Sequence, residues 1–143
     1  MRRNIFTALA AMVLAISANG AALTAEIVVI VSAKSQVMSL SASQVADIFL
    51  GKVSRFPDGN QAIAIDQPEE SAARELFYSQ FTGKSAAQVR SHWSKIIFTG
   101  RGQPPRQVLS SAEAKRLVVE NPNAIAYIES RLVDASVRVV PAK

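Results

Sequence analysis

"EIVVIVS", Glu26 to Ser32, limits what this chain can fold into, because the run is β-branched and almost continuously apolar. Such a strand has to be covered on both faces, so it belongs inside a sheet with a layer on each side. "AIAID" follows as a second strand with Ile63 and Ile65 on one face, and "AIAYI" and "VRVV" supply two more near the end of the chain.

The segments between these strands carry helical spacing. Ser41 with Gln44 fits a capping box, after which Val45, Ile48 and Phe49 recur as one face until Gly51. Ala73, Leu76, Phe77 and Phe81 make a second apolar stripe, closed by Gly83. Ser85 with Gln88 opens a third helix with Val89, Trp93, Ile96 and Ile97 inward, and Ser110 with Glu113 opens a fourth with Ala114, Leu117 and Val118. That helix stops at Asn121-Pro122, since the residue before proline avoids helical geometry. "RFPDGN" and "TGRGQPPR" read as loops. Strands alternating with helices predict a three-layer α/β domain with a mostly parallel sheet. Ligands of such sheets gather at the carboxyl ends of the strands, which places Val31–Ser35 and Asp66–Ser71 at the expected site.

Residues 1–25 read as a secretory signal: Arg2 and Arg3, then "IFTALAAMVLAISA", then small residues through "NGAALTA". The apolar run is short of the roughly 20 residues of a membrane span. Cleavage is expected between Gly20 and Ala25, leaving residues 26–143 as one exported, periplasmic domain with no stable membrane span. An uncleaved anchor is the other reading. The chain has no cysteine, so its stability must come from packing.

The net charge is +5 from sixteen basic and eleven acidic residues; the signal takes two arginines with it, leaving fourteen against eleven, or +3. Export argues against a nucleic-acid partner. No acidic residue occurs from Leu76 to Ala112, whereas Lys84, Arg90, Lys95, Arg101, Arg106 and His92 do. That asymmetry reads either as a solvated helix face or as a docking surface for an anionic partner, lipid headgroup or envelope polymer. His92 is the only histidine, with no patterned carboxylates for a metal and no G-x-S-x-G elbow, so neither an enzyme nor a cofactor is expected.

Taken together, "LSASQVADIFLGKVSRFPDG", "SAARELFYSQF" and "NPNAIAYI" resemble the periplasmic phosphate-binding protein of ABC transporters and its relatives in the type II solute-binding superfamily. The resemblance implies a single lobe of a type II periplasmic binding protein, the second of the two that close over the ligand. The wall supplied by a first lobe is not part of it. Implied partners are phosphate or another small oxyanion, for transport or sensing, together with a second lobe, a second copy or an envelope protein.

In that family a serine, a glycine and a threonine at a helix start donate to phosphate, and an arginine four residues earlier pairs with it. Alignment on Phe77 puts Ser71, Ala72, Ala73 and Gln67 at those positions. Only the serine is retained, and a charge-assisted contact is lost with the arginine. Asp66 as cap and Glu69 as its capping-box partner would place carboxylates where the anion should sit, with Arg74 able to help only by folding back past them. The alternative function is therefore an envelope interaction module that keeps the lobe and has lost the ligand.

Overall fold

The computed structural model describes residues 26–141, so the signal expected over residues 1–25 lies outside the described part. The elements follow the order β1 (Ile27–Ser32), α1 (Ala42–Phe49), β2 (Ile63–Asp66), α2 (Ala72–Thr82), α3 (Ala86–Phe98), β3 (Arg106–Gln107), α4 (Ser111–Glu120), β4 (Ala124–Glu129) and β5 (Val137–Val139). A 3₁₀ turn, Ser130–Leu132, leaves β4. Among the described residues no helix is long and apolar enough to cross a membrane.

The five strands form one mixed sheet in the order β3-β2-β4-β1-β5. β2 is parallel to both β3 and β4, whereas β1 is antiparallel to both β4 and β5. Four strands therefore run one way, and β1 runs against them.

Period-two alternation along β1 explains why the whole run is apolar. Ile27, Val29 and Val31 face a core shared with α1, α2 and α3, through Phe49, Phe77, Val89 and Trp93. Ile30 faces the other core, where Ala114 and Val118 of α4 cover Ile65, Ala126 and Ile128. Three helices thus lie on one face and one on the other, the expected three-layer α/β arrangement. Phe77 anchors the thicker layer, its ring stacked on Tyr127 at 4.1 Å and tilted against Phe49 at 4.6 Å.

Local signals set most helix starts. Both capping boxes of the Ser-x-x-Gln type close: Gln44 and Ser41 exchange bonds of 3.1 and 2.8 Å, and Gln88 and Ser85 bonds of 3.3 and 2.9 Å. The third box is half made. Ser110 accepts from the Glu113 amide, but the Glu113 carboxylate takes the amide of Leu109 instead of that of Ser110. Gly51 follows α1 at φ 72°, and a Cβ there would lie 2.6 Å from the Trp93 ring, so conformation and space both require glycine.

Three expectations need correction. The reversed direction of β1 carries Ser32–Ser35 to the opposite end of the sheet from Asp66: Val31 pairs with Ile125 at the start of β4, while Asp66 follows Ile65, which pairs with Ala126. Strand direction is fixed by distant partners, so the strand-end rule could not join the two segments. Ile97 is not on the inner face of α3; it is 54% exposed, while Val89 and Trp93, with the partly buried Ile96 packed beside them, fill that face. The loop before α4 also contains β3, held to β2 by Ile65–Arg106 and Asp66–Gln107 pairing.

Candidate functional site

β2 ends at Asp66, and the link Gln67–Ser71 turns the chain into α2. Asp66 does not cap that helix. It is 1% exposed and anchors a buried cluster: Tyr78 donates to it at 2.6 Å, Tyr127 donates to its other oxygen, and Arg74 Nε lies 3.3 Å away. A carboxylate at the end of a central strand is drawn from water, so it is stabilised by tertiary donors rather than by a local helix start. Burial, and after it the Asp66 charge, pushes both tyrosine hydroxyls well above their ordinary range. Arg74 is 7% exposed, with its guanidinium 5.0 Å from the centre of the Tyr78 ring, so it faces the core and cannot reach back to an anion at the helix start.

Ser71 is the N-cap of α2, its Oγ accepting from the Arg74 amide at 3.2 Å. The same hydroxyl donates to Gln67 Oε1 at 3.2 Å. Gln67 is only 3% exposed, and its Nε2 donates to Ser111 Oγ at 3.1 Å and to the Tyr127 carbonyl at 3.0 Å. One glutamine side chain therefore ties the start of α2 to the start of α4 and the end of β4. Glu69 completes no capping box, because its carboxylate accepts from Arg90 Nε at 2.7 Å on α3. That hydrogen bond, more than any other influence, holds the Glu69 carboxyl below its usual range.

Ser71, Ala72, Ala73 and Gln67 line one open depression of about 410 Å³; Arg74 does not reach it. The opposite wall is the start of α4, with Ser110, Ser111 and Ala112, and the rim carries Glu129, Arg131 and Leu132. Arg131 and Glu129 pair with each other at 2.6 Å. The sequence reading missed this second wall. Its signal is present in the consecutive serines Ser110-Ser111, of which Ser110 reads as a cap and Ser111 carries no local pattern.

The donors facing this space come mainly from backbone. Among the described residues the amides of Ala72, Ala73, Ser111 and Ala112 have no acceptor within hydrogen-bonding reach. Ser111 Oγ accepts from Gln67 and keeps its own proton for donation. Two helix starts, each bearing partial positive charge, thus meet at one opening. The other candidate residues have structural partners: His92 Nε2 donates to the Leu50 carbonyl at 2.7 Å and its ring stands edge-on to Trp93.

The fold of the described residues is shared with part of several substrate-binding proteins of known structure. A phosphate ABC transporter substrate-binding protein from Clostridium perfringens, solved with bound phosphate, superposes with a TM-score of 0.65 at 24% identity over 82% of this chain. An ABC-type phosphate transport receptor from Vibrio cholerae gives 0.65 at 20% identity over 82%, and PstS from Borrelia burgdorferi gives 0.60 at 13% over 83%. At these identities the likeness establishes the fold. The chain spans less than half the length of each of these proteins, 45%, 46% and 47% respectively. No family model matches the sequence, and no curated protein matches it.

Proposed function

We propose that this chain is an exported solute-binding-type lobe carrying half of a site for a small oxyanion of the phosphate class, with the other wall supplied by a second subunit or lobe. The observation that carries this reading is the convergence of α2 and α4 on one depression, where four amides and the Ser111 hydroxyl remain free to donate. Amides at helix starts bind tetrahedral oxyanions by geometry and dipole. Affinity is weak because, among the described residues, no free cation lines the depression: Arg74 is engaged by Asp66, and Arg131 by Glu129. The folds it matches include a phosphate-bound protein, which supports the ligand class.

Calorimetric titration with inorganic phosphate tests the reading. One-site heat with a dissociation constant in the millimolar range is expected, corresponding to about 4 kcal/mol. Ala72→Asp, which puts a carboxylate among the amides, should abolish it, and Ser111→Ala should weaken it several-fold. No heat at millimolar phosphate, or heat unchanged by Ala72→Asp, sinks the reading.

A second reading is favoured by the internal bonding of Gln67 and Ser71, which leaves the loop knit together without a ligand. On that reading the lobe is an envelope interaction module, and silent calorimetry together with capture of a partner protein would support it.

A further inference from the structure

The exposed side of α3 shares no lining residue with the α2–α4 depression, and it is basic along its length and apolar at its end. Lys84, Gln88, Ser91, His92 and Lys95 line an open trough of about 380 Å³ along one face of the helix. One turn beyond Lys95, Phe98 is 91% exposed, next to the half-exposed Ile97, and Arg101 follows in the loop. Isolated exposed apolar side chains are ordinary on protein surfaces. Here two are adjacent, at the tip of a helix, between cations.

The charges of this face are uncompensated. The carboxylate that reaches α3, Glu69, is neutralised by Arg90, and among the described residues Lys84, Lys95 and Arg101 have no acidic group within ion-pair distance. Protein surfaces usually intersperse the two signs, yet the sequence from Leu76 to Ala112 supplies no acid at all. A helix of 13 residues extends about 20 Å, long enough for both ends of the face to meet a flat surface at once. Cations flanking an exposed aromatic tip match the lipid interface, where basic groups meet phosphate headgroups and the ring enters the boundary with the acyl chains.

We propose that this face of α3 docks the protein on an anionic phospholipid surface, with Lys84, Lys95 and Arg101 against headgroup phosphates and Phe98 with Ile97 inserted. The proposal goes beyond the oxyanion reading and does not depend on it. Phosphate calorimetry and lipid binding can fail separately, since they probe different faces.

The experiment is co-sedimentation of protein from the exported fraction of expressing cells with phosphatidylcholine vesicles, with and without phosphatidylglycerol. Binding is expected only with phosphatidylglycerol, and it should fall as salt rises. Lys84→Gln, Lys95→Gln and Arg101→Gln should each weaken it by roughly fivefold, the scale of one basic group near such a surface. Phe98→Ser should weaken it several-fold with an unchanged circular-dichroism spectrum, and Phe98→Trp should add a blue-shifted emission on vesicle contact. Equal binding to both vesicles, no binding at low salt, or full binding by the triple glutamine variant overturns the proposal. Vesicle binding that depends on the cations but is unchanged by Phe98→Ser, and that soluble polyphosphate matches in strength, also overturns it, because the partner would then be a polyanion and not a lipid surface.

Discussion

Arg74 and Arg90 each pair with a carboxylate close to the β2–α2 junction, Asp66 at the end of β2 and Glu69 three residues on, yet the two pairs belong to different physical regimes. Arg74 meets Asp66 with side chains 8% and 2% exposed, whereas Arg90 meets Glu69 with side chains 63% and 38% exposed. The buried pair has traded water for a closed set of partners, including two tyrosine hydroxyls, so no member can leave without stranding the others. The outer pair remains in solvent and competes with it. Proximity in sequence therefore says little about what an ion pair does; the depth of its setting decides.

The largest expected effect breaks the buried pair alone. Arg74→Met should cost about 3–5 kcal/mol of unfolding free energy in urea titration, because Asp66 is left buried without its cation. The double variant with Asp66→Asn should cost less than the sum of the two single changes; additivity would mean the two residues act independently.

Tyr127→Phe is the intermediate case. It retains the ring against Phe77 and removes one donor to Asp66, at an expected cost of about 1–3 kcal/mol. It should also change the response to alkali. The unfolded chain releases tyrosine protons near pH 10, while the folded chain keeps those of Tyr78 and Tyr127. The unfolded state then binds fewer protons, so stability is intact below that pH and falls above it. Tyr127→Phe should make the alkaline decline shallower, and an unchanged slope would show that this hydroxyl is not the source.

The smallest effect is expected at the outer pair. Arg90→Gln should shift the melting temperature slightly at low salt and not at all at high salt, since Glu69 and Arg90 are both open to solvent. A loss comparable with that of Arg74→Met would erase the distinction between the two pairs.

What the sequence disclosed follows the same division between near and far. The starts of α1 and α3 were legible because their boxes close over three residues, Ser41 to Gln44 and Ser85 to Gln88. The start of α2 was misread: Asp66 and Glu69 offer the same local pattern, but Tyr78, Tyr127 and Arg74 claim the aspartate from elsewhere in the fold and Arg90 claims the glutamate. The site was half legible for the same reason. Gln67, Ser71, Ala72 and Ala73 are contiguous enough to be read together, while Ser111 reaches them only through folding, by a bond spanning 44 positions. The α/β layering followed from periodicity, but the reversal of β1 left no local mark.

That reversal also bears on timing. β1 is the first strand described, and it lies between β4 and β5, the last two. Arg138 likewise reaches back 103 positions to donate to the Ser35 carbonyl. Contacts of such range form late and slowly, because the intervening chain must be drawn in before any of them is made. A chain delivered from its N-terminus thus cannot complete this sheet until β4 and β5 have emerged, however early β1 is available.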